Sequence, residues 1–301
     1  MSTLTFLTYE QIYAKNKLEI LKRFNTRCAE ITDFSTLLGG RSKIDYATSE
    51  RRLTCDWWIK TFYYDETQND TQCIRFEGGL SGYNDSRYRT IGARPVLPYS
   101  SISNICKNEQ IINGIKEVEY GEYPQTITDK KTAKILEKRF AKGALRETGK
   151  FYTTDSVNIY DYNKKFQERQ HIEYEFAGEK YIRFVSDYNS NNSKLSDGTT
   201  ICPGKVYWIK VEPIKWLVDE KNDIALIKKI IFAGVQFNNK KSWKEDFDAT
   251  DIKKFMDNYF SKDIIPSKLN YQTKAEQRKY LQQVKELLLN KSKVKTKKLT
   301  K

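Results

Sequence analysis

Apolar and polar positions alternate with a period of two through the middle of the chain and recur every three to four residues nearer its ends. Residues 171–176 and 181–186 both alternate, with Ala177-Gly178-Glu179-Lys180 between them, which predicts a β-hairpin. Residues 206–211 and 213–218 read as two further strands, and 118–125 as a strand running into a turn. The apolar run 223–232 fits a buried strand or a short helix, and periodicity does not separate the two. Helical spacing appears in four places. Thr8 caps a stretch over 9–24 carrying Ile12, Tyr13, Leu21 and Phe24. Thr128 or Asp129 caps one over 130–142, stopped by Gly143. Thr250 opens a third, with Ile252, Phe255, Met256, Tyr259 and Phe260 on one side. The fourth starts at the capping box Thr273-Lys274-Ala275-Glu276 and places Tyr280, Leu281, Val284, Leu287 and Leu288 along one stripe.

Residues 55–100 organise the first half. They hold the doublet Trp57-Trp58, a short apolar segment 73–76, and Ala93-Arg94-Pro95-Val96-Leu97, a strand that Pro95 limits to an edge or a strand start. Paired indoles bring a large apolar area and N–H groups that need partners when buried, so they belong in a core. The stretches 64–72 and 81–90 read as outward loops rich in Tyr, Asn, Asp, Ser and Arg, the composition of adaptable recognition surfaces. A polar linker around 107–110 and a boundary near 113 divide the chain into modules 1–112 and 113–262, followed by a terminal helix and lysine-rich tail over 263–301.

The net charge of +14 is uneven: residues 262–301 hold 12 basic and 3 acidic residues, a net of +9, leaving +5 for the rest. Such a tail touches phosphates without reading sequence, or is simply a solvated end. No stretch reaches the 18 or so apolar residues of a membrane span, and the first residues lack a signal-peptide pattern, so the expected location is cytoplasmic. Five widely spaced cysteines (Cys28, Cys55, Cys73, Cys106, Cys202) without a C-x-x-C predict reduced, mostly buried thiols. The sole histidine, His171, falls in a predicted strand and reads as structural; with one His and no nucleophile elbow, two-His zinc sites and the usual Ser–His triad have no place. Phosphate-binding glycine motifs and EF-hand loops are missing. No metal and no cofactor is expected. Glu245-Asp246-Phe247-Asp248 fits a helix N-terminus better than a cation. A carboxylate-based enzyme stays open, to be revived by a cleft with two converging acids of perturbed pKa.

Trp57-Trp58-Ile59-Lys60-Thr61, Ile74-Arg75-Phe76-Glu77-Gly78-Gly79 and Gly92-Ala93-Arg94-Pro95-Val96-Leu97 together resemble a bacterial family of uncharacterised domains with a C-type-lectin-like fold. That family is akin to the formylglycine-generating enzymes and to the variable proteins of diversity-generating retroelements. Gly121-Glu122-Tyr123-Pro124-Gln125, Pro213–Val218, Trp243 and the 251–260 helix resemble it too, although in the family the Gly-x-Tyr-Pro-Gln segment comes first. The resemblance implies a C-type-lectin-like first module and extends to a mixed β-rich second module; with the C-terminal helix and basic tail read from the residues themselves, the expected chain is α+β. It implies a binding scaffold and not an oxidase, since Cys55 and Cys73 do not form the close pair those enzymes use.

The expected function is therefore non-enzymatic recognition of a macromolecule, a protein above all, through Tyr63, Tyr64, Asn69, Tyr83, Asn84, Arg87, Tyr88 and Arg89. The rival expectation is a nucleic-acid or ribonucleoprotein binder acting through Lys291, Lys293, Lys295, Lys297 and Lys298, as in a phage or mobile-element inhibitor of a nucleic-acid machine.

Overall fold

A computed structural model describes residues 4–15, 17–22, 24–44, 52–62, 70–188, 190–239 and 246–264. All of them lie in one compact unit that ends at Ile264. Tyr63, Tyr64, Asn69, Trp243, Glu245, the helix expected over 273–288 and the five tail lysines fall outside these residues, as does the side chain of Tyr83.

The chain opens with α1 (Tyr9–Tyr13), a 3-10 turn (Glu19–Leu21), α2 (Phe24–Arg27) and α3 (Asp33–Leu37). Thr8 caps α1, as expected, and does so through a reciprocal box with Gln11, but the single helix expected over 9–24 does not form. Ile12, Leu18, Ile20 and Leu21 are all buried. At about 100° per residue they would point to four sides of one straight helix, so only a broken path can bury them together.

Strands β1 (Lys43–Ile44), β2 (Leu53–Thr54), β3 (Trp57–Phe62), β4 (Asp70–Ile74), β5 (Leu80–Asp85) and β6 (Val96–Pro98) follow. Much of the stretch expected as loops around 81–90 is thus strand β5, which pairs with β4 in the small antiparallel sheet β3-β4-β5. The second half contributes β7 (Lys107–Ile112), β8 (Ile115–Ile127), α4 (Lys130–Ala141), β9 (Arg146–Asp155), β10 (Glu168–Phe176), β11 (Glu179–Val185), β12 (Ser190–Lys194), β13 (Thr200–Ile201), β14 (Val206–Asp219) and β15 (Ile224–Ile227). A continuous helical stretch over 251–264 closes the unit: α5 (Asp251–Phe255), a π-helical turn (Met256–Phe260) and α6 (Ser261–Ile264), capped by Thr250. The architecture is mixed and strand-rich, with several antiparallel sheets.

The boundary expected near residue 113 falls on the turn between β7 and β8, where Asn113 and Gly114 adopt positive φ. It separates no units, because β6 from the first half and β7–β11, β14 and β15 share one eight-stranded sheet. The two strands expected at 206–211 and 213–218 are one 14-residue strand, β14. Pro213 does not end it; the missing N–H sits at a register shift opposite Glu122. This length lets β14 serve β11 and β15 along one edge while β8 runs along the other. β6 closes the sheet beyond β15, with Pro95 immediately before it, so the edge position expected for the Arg-Pro segment is observed.

The sheet is strongly curled. Tyr123 on β8 and Tyr152 on β9 are separated by β14, β11 and β10 in strand order, yet their ring centroids lie 5.4 Å apart. Phe34 of α3 fills the hollow, 5.9 Å from Tyr123, 5.9 Å from His171 and 5.8 Å from Phe184. Phe260 covers Tyr123 from the C-terminal helix at 5.1 Å. Gly121 admits that helix: with φ +76, its position would place a Cβ 2.6 Å from the Ile264 carbonyl oxygen.

Trp57 and Trp58 are fully buried, as the doublet predicts. The Trp57 indole N–H donates to the Arg27 carbonyl at 3.0 Å, and the Arg94 guanidinium lies 5.2 Å from its ring centroid. Arg94 itself donates to the carbonyls of Ile227 and Thr26, each at 2.8 Å, so the Arg-Pro segment ties β15 to the end of α2. Trp216 finds the Tyr120 carbonyl at 2.8 Å. Cys28, Cys55 and Cys73 are buried, Cys106 is half-buried and Cys202 is exposed.

Candidate functional site

Residues 84–89 show how alternation along the chain sorts side chains. Asp85 closes a turn: its backbone carbonyl accepts from Tyr88 N–H at 3.0 Å, and its carboxylate accepts from the Arg87 N–H at 2.9 Å. This is an Asx-type turn of the kind Asp favours. Ser86 then points inward, donating to the Asn238 carbonyl at 3.0 Å. Arg89 also points inward. It is 1% exposed, ion-paired with Asp155, and donates to the carbonyls of Gly234 at 3.0 Å and Lys164 at 2.8 Å. Arg87 and Tyr88, between the two, are left facing outward.

Arg89 is accordingly not a contact residue, and that expectation is corrected. A guanidinium with a buried carboxylate and two carbonyls around it is an anchor. Asn84 is corrected in part: its amide is turned to Cys73 Sγ (3.1 Å) across the β4–β5 hairpin and to Ser81 Oγ (2.9 Å) on its own strand. Arg87 is half-buried and forms a bidentate pair with Asp85, which raises its pKa through the carboxylate hydrogen bonds. Tyr88 is 39% exposed and packs against Tyr162 at 5.7 Å.

The anchor also holds the loop that carries Tyr162. Asp155 ends β9, and its carboxylate accepts from the N–H groups of Val157 and Gln167, both at 3.0 Å, while Ser156 N–H donates to the Gln167 carbonyl at 2.8 Å. The loop 156–167 is thus pinched at its base. Val157 and Ile159 are buried beneath it, and Gln236 holds the Tyr162 carbonyl at 2.7 Å. Tyr160, at 59% exposure, stands out from the loop. Burial raises the Asp155 pKa, and the Arg89 charge counteracts this. Tyr88 and Tyr162 with Arg87 form an outward aromatic patch, and Tyr160 stands exposed two residues from Tyr162 on the same loop. Sequence reasoning missed Tyr160 and Tyr162. The signal was present in Asn158-Ile159-Tyr160-Asp161-Tyr162-Asn163, whose composition matches that of 81–90.

Titratable groups gather in a second place, inside the curled sheet. β9 bulges at 148–150 opposite Glu173, with Gly149 at φ +86. Glu173 accepts from Tyr152 at 2.6 Å and Thr148 at 2.8 Å. Asp263 accepts from the Thr153 N–H at 2.8 Å, clipping the C-terminal helix to β9. The Lys150 ammonium lies over the Tyr152 ring at 4.7 Å, and its pKa is lowered by burial. Burial lifts the Asp263 pKa from its ordinary 3.8 to about 7, with the Thr153 N–H opposing it. Glu173 and Asp263 are both buried and hydrogen-bonded to the fold, so the cluster fastens helix to sheet.

This fastening has a pH signature. The folded state holds the Asp263 proton to higher pH than the unfolded chain does. Its contribution is therefore full below about pH 4 and is lost as the pH rises towards 7. Asp263→Asn keeps an acceptor for Thr153 and removes the titration. The variant should gain on the order of 4 kcal/mol on the wild type between pH 4 and 7 in urea titrations; parallel pH profiles would contradict the assignment.

His171 is buried, its Nε2 2.8 Å from Thr154 Oγ1, and burial takes its pKa down to about 3. It is a neutral core residue. A polar groove of about 400 Å³ is lined by residues of β8 and β14 together with Glu30, residues 227–229 and Ile231, but its Lys228 and Lys229 are paired with Glu117 and Glu30. Asp246 and Asp251 accept backbone N–H groups near the C-terminal helix. Among the described residues no group of three or more His, Cys, Asp or Glu could hold a metal ion, and no helix is long and apolar enough to cross a membrane. Comparison with protein-family models, with curated proteins and with solved structures gives no match.

Proposed function

We propose that the chain is a non-enzymatic, cytoplasmic recognition protein that binds a macromolecular partner, a protein, through the loops of a lectin-like scaffold. The observation that carries this reading is the tyrosine patch. Tyr88, Tyr160 and Tyr162 project from two loops whose bases are locked together by Arg89 and Asp155. Tyrosine supplies contact area with little entropy to lose, and a pre-ordered loop reduces the cost of association further. Arg87, already held by Asp85, adds a planar donor at the patch edge. The lectin-like part of the proposal rests on the buried tryptophan pair and the Arg-Pro edge strand.

The test is affinity capture with the wild type and with Tyr88→Ala/Tyr160→Ala/Tyr162→Ala, each with and without nuclease. A protein recovered by the wild type after nuclease treatment, and reduced at least about tenfold with the triple variant, is the expected result. Equal recovery by a triple variant of unchanged stability would remove the proposal.

A further inference from the structure

Helix α4 carries a charge pattern that neither its packing nor its own stability explains. Asp129 caps it, accepting from the N–H groups of Lys131 and Thr132, and Leu136 is buried on its inner side against Tyr174, Tyr181 and Trp208. Ala133 and Phe140 pack on the same cluster. At about 100° per residue, Lys130, Lys131, Lys134, Lys138 and Lys142 fall within one sector of about 120°, opposite that apolar side. All five are exposed. Among the described residues none of the five makes an ion pair. The only acid of the helix, Glu137, is turned to the sheet, where it accepts from Arg183 at 2.9 and 3.0 Å and from Trp208 at 2.9 Å.

Two features make this face costly to the helix. Lys130/Lys134, Lys134/Lys138 and Lys138/Lys142 are like-charge neighbours at i,i+4, each destabilising. Lys130 and Lys131 also oppose the macrodipole in a first turn that holds no acid. The concentration is local. Residues 130–146 hold seven Lys or Arg and one acid, a net of +6, whereas residues 1–261 as a whole net +5. A face kept for solubility alone would mix the two signs.

We propose that this face of α4 binds the sugar-phosphate backbone of a nucleic-acid duplex, without reading its sequence. The five ammonium groups span about 18 Å of helix axis and rest on a rigid support. A duplex offers phosphates at regular short intervals over that length. A bilayer fits less well, because the apolar side of α4 is already covered by Trp208 and its neighbours and has nothing to insert. An acidic peptide would find a convex row of charges with no pocket for an anchor. This surface is separate from the tyrosine patch and does not depend on it.

The experiment is fluorescence anisotropy of a short labelled duplex of arbitrary sequence with the full chain over a salt series. Polyglutamate and phosphatidylserine vesicles serve as competing arms. The wild type should bind with log K falling linearly in log salt. Lys130→Gln/Lys134→Gln/Lys138→Gln should flatten that slope by about 0.9 for each lysine and weaken binding at least about tenfold at physiological salt. Lys134→Glu should lower duplex affinity while the melting temperature stays level or rises, since it replaces two like-charge pairs with opposite ones. The proposal is overturned if the wild type does not bind duplex at low salt, or if the triple variant keeps slope and affinity. It is also overturned if Gln at Lys291, Lys293, Lys295, Lys297 and Lys298 removes the whole salt dependence, or if the α4 substitutions abolish polyglutamate or vesicle binding but spare the duplex.

Discussion

Arg89→Met should destabilise the fold by about 3–5 kcal/mol, measured as the shift in urea-unfolding free energy near neutral pH. The size follows from what remains after the change. Asp155 is 1% exposed at its side chain and keeps its Val157 and Gln167 donors, but loses the guanidinium paired with it. A buried ion pair need not stabilise relative to an apolar pair, whereas half of one leaves an uncompensated charge. Two further results separate this from simple loss of packing. The Asp155 pKa, already raised by burial, should climb once Arg89 no longer opposes it, so the deficit should shrink as the pH falls and Asp155 takes a proton. Arg89→Met/Asp155→Asn should recover much of the loss. The same variant should weaken the tyrosine patch, because Arg89 also holds the Lys164 carbonyl in the loop that presents Tyr160 and Tyr162. A deficit below about 1 kcal/mol would show that the pair is not the anchor of this loop.

Trp57→Ala should cost about 3–5 kcal/mol in the same measurement, the usual range for emptying a large aromatic site. Trp57 is fully buried among Leu7, Ile31, Ile74, Val96 and Ile230, and it joins three segments at once. Its N–H reaches Arg27, its ring lies under Arg94, and its backbone bridges to Gly92. Trp57→Phe keeps most of the ring contact and loses the hydrogen bond, so its cost should be smaller by about 2 kcal/mol. Equal losses in the two variants would mean that the hydrogen bond to Arg27, rather than the filled volume, holds the segment.

How much of this was legible before the structure depended on the range of the forces involved. Local signals were reliable. The Thr8 cap, a cap at Thr128 or Asp129 with its Gly143 stop, the Thr250 cap and the hairpin through Ala177-Gly178 are decided within a few residues, and all four are observed, with Asp129 as the second cap. The core position of the Trp doublet followed from its area alone. Long-range pairing was not legible. Nothing near Pro213 announces that Glu122 lies opposite and lets β14 run through it, or that residues 107–110 pair with β8 in place of serving as a linker. Arg89 shows the limit at the candidate site. Its neighbours Arg87 and Tyr88 have the same polar look in sequence, and only Asp155, 66 residues away, decides that Arg89 turns inward. Tyr160 and Tyr162 were missed for the same reason, since the pairing that brings their loop to Tyr88 is remote in the chain.

The most direct measurement on the recognition reading is a tyrosine-nitration footprint of the chain, read by peptide mass, free and in its captured complex. In the free chain Tyr88, Tyr160 and Tyr162 should react while buried Tyr123 and Tyr152 stay silent, and in the complex those three should become protected together. Continued reaction of all three in the complex, with no change from the free chain, would contradict the account.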